Sequence, residues 1–270
     1  MQTWVDPHDI LRWYLDAGVD ETIGETPVDR YAVSQRAQQA RLTAVQNPPP
    51  ATMRPGVAPV AAAPQGKAPS GVAAHIAAEC STLAELRTAL EKFEGLALKQ
   101  AAACTVFADG NPEAAVMCIG EAPGQEEDRQ GLPFVGTSGK LLDRMLRSIG
   151  LDRSTVYITN VVPWRPPANR KPTLDEVAVC LPFVSRHIEL VDPQLLILLG
   201  GTAASALLAR AEGINRLRGR WFEFNSPGLP RPVPVLATFH PAYLLRTPEA
   251  KRDAWRDLLL IQKKLAAGRH

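Results

Sequence analysis

The chain has 270 residues, 46% of them hydrophobic, and a formal net charge of +2. That suffices for one sizeable core with residues to spare, and the lack of any run of 18 apolar residues excludes a helix spanning a membrane. The charge is uneven: residues 161–270 hold 16 Lys and Arg against 9 Asp and Glu, a net of +7 that leaves −5 on residues 1–160. Composition alone therefore does not define a nucleic-acid binder, although a basic C-terminal half is compatible both with a phosphate backbone and with an ordinary solvated surface.

The start, MQTWVDPHDILRWYLDAG, is acidic and aromatic and lacks the basic start and apolar core of a signal peptide. A cytoplasmic location is expected, with Cys80, Cys104, Cys118 and Cys180 as thiols rather than disulfides. Residues 1–45 are predicted as a helical appendage, with Ile10, Leu11, Tyr14 and Leu15 at helical spacing, able to recruit a protein partner. Residues 46–77, rich in Pro and Ala, are predicted as a disordered linker, and 78–270 as the folded domain.

Within that domain, STLAELRTALEKFEG (81–95) has Thr82 and Glu85 at capping-box spacing. AVMCIG is a short apolar strand that breaks at Gly120; 137–151 is an amphipathic helix; VYITNVV (156–162) is a strand. A helix follows over 173–191, capped by Thr173 and Glu176, then the strand LLILLGG (195–201), a helix over 202–209, a strand ending at His240, and a last helix over 249–267. Strands alternating with helices predict an α/β fold, three layers with a central, mostly parallel four-stranded sheet. In such sheets the site lies beyond the carboxyl ends of the strands. Those ends carry Gly120–Glu121, Asn160, Gly200–Gly201 and His240.

The turn GEAPG is neither a Walker loop nor a dinucleotide fingerprint, and a carboxylate at its second position would repel a pyrophosphate. It suits a ligand that develops positive charge, or else it is a plain turn with solvated acids. His240 before Pro241 is a candidate catalytic imidazole, although a lone His is more often structural. Asn160 could cap a helix, or could read a base edge with one donor and one acceptor. Phe134, on a loop between two glycines, is core or a stacking platform for a flat ring.

The segments GEAPGQEEDRQGLPFVGTSGKLLDRML, VYITNVVPWRPPANRKPT, LLILLGG and HPAYLLR resemble, in order and spacing, the motifs of the uracil-DNA glycosylase superfamily, family 4 most closely, over about residues 90–260. The resemblance implies excision of uracil from DNA after the nucleotide is flipped out. It implies Glu121 and His240 as catalytic groups. Gly120, Ala122, Pro123, Gly124, Phe134 and Asn160 would form the base pocket. Ser138, Lys140, Arg165, Arg170, Lys171, Leu244, Leu245 and Arg246 would contact DNA, Leu244 to Arg246 as a wedge. A monomer acting on uracil-containing DNA is expected.

Family 4 also carries a [4Fe-4S] cluster on four cysteines. The matching positions here are Leu96, Lys99, Trp164 and Cys180, so only Cys180 matches and no cluster or other cofactor is expected. The alternatives are a glycosylase for hypoxanthine or xanthine, which Asn160 disfavours, and a non-catalytic damaged-DNA-binding module. A covalent uracil-trapping variant would need a His-bearing loop, and DRQGLPFVG has no His.

Overall fold

The computed structural model describes residues 69–267. The predicted N-terminal helices lie outside the described residues, as does most of the predicted linker. The linker's last stretch is different from the expectation: Pro69–Glu79 is a helix, α1, with Ala73 and Ala77 buried. An Ala-rich run reads as low-complexity linker by composition, yet alanine is the strongest helix former, and a proline is tolerated in a first helical turn.

Both predicted capping boxes form, Thr82–Glu85 at the head of α2 (Leu83–Lys92) and Thr173–Glu176 at the head of a long helix, α6 (Leu174–Val191). Between them lie α3 (Leu98–Ala101), β1 (Asp109–Gly110), β2 (Val116–Gly120), α4 (Gln125–Gln130), α5 (Thr137–Arg147) and β3 (Val156–Asn160). After α6 come β4 (Leu195–Leu199), α7 (Gly201–Leu208), α8 (Ile214–Leu217), β5 (Trp221–Phe224), β6 (Val233–Thr238), α9 (Pro241–Arg246) and α10 (Lys251–Ala267).

The sheet has six strands rather than four, in the order β1–β3–β2–β4–β6–β5. The predicted four form its parallel centre; β1 and β5 add antiparallel edges. Both additions escape an apolar-run search, because β1 is the dipeptide Asp109–Gly110 and two residues of β5 are exposed.

Alternate residues of the buried strands feed two cores, as the two-residue period of a strand requires. Met117, Ile119, Leu196, Leu198, Val235 and Ala237 face α1, α2, α6 and α7. Val116, Cys118, Ile158, Ile197, Leu199 and Leu236 face α5, α9 and α10. The result is three layers. From β2 the chain crosses to β3 on one side, then returns past β2 to β4 on the other. That reversal opens a crevice above the strand ends, and parallel pairing sets Gly120 beside Asn160, and Leu199 beside Thr238, along its floor.

Candidate active site at the strand ends

Gly120 ends β2, and the absence of a side chain there makes the site. A Cβ would overlap both Asn160 Oδ1 and the tip of the Phe134 ring. Asn160 is 5% exposed, and its Oδ1 is fully buried without a hydrogen-bond partner. Beside it, toward α2 and α6, a cavity of about 10 Å³ is lined by Thr159, Asn160 and His187 among others. That is room for one water and not for a base.

Phe134 is buried at φ 55°, a left-handed conformation unusual for a bulky residue. Two features hold it there. Arg153 donates to the carbonyls of Phe134 and Pro133, the latter at 3.2 Å, and to Asp143 at 2.9 Å. Gly139 in α5 lies so close under the Phe134 carbonyl that a Cβ would collide with it. The Phe134 ring lies 5.6 Å from the His240 ring, tilted by 32°.

His240 is the N-cap of α9, and its Nδ1 accepts the N–H of Ala242 at 3.1 Å. Burial pushes its pKa down from 6.5 to about 4, against an upward pull from Glu121 and with a smaller downward push from Arg246. The imidazole is therefore neutral at pH 7. Since Nδ1 is an acceptor, the one proton sits on Nε2.

Four acids crowd the turn after β2, and they do four different things. Glu127 is buried and accepts from Gly124 N–H at 3.1 Å and Gly136 N–H at 2.8 Å, tying the turn to the Phe134 loop. Asp128, also buried, accepts from Ala103 N–H at 2.8 Å. Glu126 pairs with Arg129 on the surface. Glu121 remains, half-buried, and accepts a hydrogen bond from the Thr202 hydroxyl. Sequence reasoning missed Thr202. The signal was present, since Thr202 directly follows the Gly200–Gly201 strand end. It also missed Arg153, whose role depends on a loop backbone that no periodicity shows.

The structure brings Glu121, Phe134, Asn160 and His240 to one edge of the sheet. Ala122 and Gly124 are half-buried in the connecting turn and Pro123 is buried. Lys140, Lys171, Leu245 and Arg246 are exposed, and Ser138 is half-buried. One expected DNA contact is placed otherwise. Leu244 is 0% exposed and packs against the α5–α10 core, because the segment after His240 is a helix whose one face points inward. Its neighbours Tyr243 and Leu245 are the exposed apolar groups, at 36% and 37%. Arg170 is engaged by both carboxylate oxygens of Glu176, at 2.8 and 2.6 Å. Arg165 donates to Asn169 at 2.8 Å.

The four cluster positions do not offer a donor set. Trp164 is fully buried, donates to Thr105 Oγ1 at 3.0 Å and stacks on Phe93 with centroids 6.4 Å apart. Leu96 packs against the same core, and Lys99 pairs with Glu94 at 2.6 Å. Burial pushes the Cys180 thiol up to about 12, so it stays protonated. Among the described residues no group of three His, Cys, Asp or Glu is placed to hold a metal ion.

An acid, an amide and a neutral imidazole gathered at the carboxyl edge of the sheet define a doubly wound α/β protein with its polar groups where such sheets bind ligands. The Uracil DNA glycosylase superfamily is matched over residues 107–259. A type-4 uracil-DNA glycosylase of Saccharolobus solfataricus is 40% identical over 164 residues, 59% of this chain and 75% of that protein. Those of Archaeoglobus fulgidus (42%; 56% of this chain, 77% of that protein) and Thermotoga maritima (40%; 57% and 79%) are similar to it in the same way. The chain belongs to the uracil DNA glycosylase superfamily.

Proposed function

We propose that the chain is a monofunctional uracil-DNA glycosylase of DNA repair, hydrolysing the N-glycosidic bond of uracil to leave an abasic site. The observation that carries this reading is the unpartnered Oδ1 of Asn160 beside a residue without a side chain. A buried acceptor left unpaired costs about 1–3 kcal/mol, which a ligand donor would recover. Uracil presents a donor, N3–H, next to an acceptor, O4; a carboxamide presents the complement. Cytosine places a lone pair where the donor is needed.

A base inside a duplex is out of reach, so the nucleotide is everted before cleavage. The bond from C1′ to N1 then breaks with its electron pair on the base. The sugar becomes oxocarbenium-like and the uracil an anion. His240 donates from Nε2–H to O2 and stabilises that anion without itself carrying charge, an oxyanion-type contribution. Glu121 faces the cationic sugar, orients the water that attacks C1′ and accepts its proton. Phe134 stacks on the ring. Exposed Lys140, Lys171 and Arg246 suit the phosphates, and Tyr243 and Leu245 suit the gap left in the duplex.

We read the working form as free of an iron–sulfur cluster, on the support of Leu96, Lys99 and Trp164 at three of the family's four ligand positions. We further read it as a monomer in the cytoplasm; among the described residues no helix is long and apolar enough to cross a membrane.

The test is release of base from labelled oligonucleotides bearing U·A, U·G, single-stranded U and hypoxanthine. Uracil release with an abasic product is expected, with His240→Ala slower by about 10²–10³-fold and Asn160→Asp unable to release uracil. Protein that binds these oligonucleotides and leaves every base in place is a damage-binding module instead.

A further inference from the structure

Thr202 stands in the first turn of α7, and its hydroxyl donates to Glu121 Oε2 across 81 positions of sequence. No other hydrogen bond holds the Glu121 side chain among the described residues, and its Oε1 remains open. The donor is itself well fixed. Ala203 and Ala204 beside it are 0% exposed, which anchors the turn in the core, and a β-branched side chain has few χ1 choices. The same junction touches the other catalytic group, since Gly200, at φ 97°, lies against His240 with room for a Cβ only 3.0 Å from the His240 Cβ.

We propose that Thr202 is a positioning residue for the glycosylase reaction: it holds one carboxylate oxygen of Glu121 so that the other faces the water and the sugar. This rests on the functional reading above and deepens it. A glutamate has three rotatable bonds, and an unrestrained carboxylate would sample solvent-directed rotamers. One bond from a fixed hydroxyl removes that freedom before substrate arrives, which is preorganisation of the attacking geometry. The effect belongs to the chemical step and not to DNA affinity, because Thr202 has no part in reading the base.

The experiment is single-turnover uracil excision by Thr202→Val, Thr202→Ala and Thr202→Ser, with thermal unfolding of each variant and a cycle against Glu121→Ala. Val keeps the shape of Thr and removes the hydroxyl. The expected result is a chemical rate about 10–100-fold lower for Val and Ala with unchanged affinity for uracil-containing DNA, and recovery in Ser. In the Glu121→Ala background the same Val substitution is expected to cost nothing further. Should Val not fold, Ala and Ser carry the comparison. Wild-type rates in both Val and Ala, a loss that Ser does not restore, or a full additional loss in the Glu121→Ala background would overturn the proposal. If wild-type protein itself releases no uracil, the functional reading fails and this inference falls with it; if wild type is active and the variants match it, only this inference fails.

Discussion

The guanidinium of Arg153, at the start of the turn into β3, grips the carbonyl of Phe134, a residue held at φ 55°. A left-handed conformation at a bulky residue costs of order 1–3 kcal/mol, and Arg153 with the absent Cβ of Gly139 offsets it. Arg153→Ala is expected to lower stability by about 2–3 kcal/mol in denaturant unfolding, since several charge-assisted bonds are lost, and to raise KM as the Phe134 ring loses its support. Phe134→Gly relieves the strain but empties a buried ring, so the loss of about 3–5 kcal/mol for a deleted aromatic side chain outweighs the relief, and excision falls with the stacking surface.

Gly200→Ala tests the other wall of the site. The residue sits at φ 97° with His240 Cβ at 3.0 Å from the new methyl. Strain of about 1–3 kcal/mol is expected from the backbone alone, since φ 97° with ψ 173° is a region kept for glycine, and His240 must shift. On the proposed roles, the measured outcome should be a fall in kcat larger than any rise in KM, because His240 moves while Asn160 does not.

Two buried imidazoles give the fold a defined pH response. Burial holds His187 down at about 3 and His240 at about 4, from an ordinary 6.5. Below about 6.5 the unfolded chain binds protons that the folded chain refuses, so both groups make stability fall as pH drops toward 4 and contribute no slope above 7. His187 shares a 2.9 Å hydrogen bond with the Tyr157 hydroxyl and is 3% exposed. His187→Gln is expected to flatten the stability profile between pH 4 and 6.5, measured by unfolding across that range. The same shift bears on activity through His240. Its neutral Nε2–H donor persists well below 6.5, so no fall in rate centred near 6.5 should arise from this group.

The parallel centre of the sheet and the three chemical groups at its strand ends were legible because each rests on a local pattern. Short apolar runs make buried strands, and a run must stop where the site begins. The edge strands were not legible, since Asp109–Gly110 and half-exposed Trp221–Phe224 carry no run. The wedge expected of Leu244 came with the resemblance, which does not say which face of the segment is turned inward; Pro241 and the His240 cap start a helix that buries Leu244. Thr202 and Arg153 were invisible for a different reason. Each acts on a partner far along the chain, 81 positions away for Thr202 and 19 for Arg153, and only the folded backbone brings them together.

Trp164 bears on the proposed absence of a cluster through what surrounds it. Its ring is fully buried, stacked on Phe93, with Phe93 in turn edge-on to Phe183 at 5.1 Å. These rings, Leu96 and the protonated Cys180 share one apolar core, at the positions that the resemblance aligns with cluster ligands. Replacing Trp164 by Ala should cost about 3–5 kcal/mol of stability, because a large ring leaves a cavity and Thr105 loses its indole donor. The Glu121, Asn160 and His240 set is not part of that cluster, so the variant should still excise uracil well below its unfolding temperature. Protein purified without oxygen should contain no stoichiometric iron and show no absorbance near 400 nm. A brown, iron-loaded protein would mean that ligands beyond these residues complete a cluster, and the aromatic plug would then be displaced rather than structural.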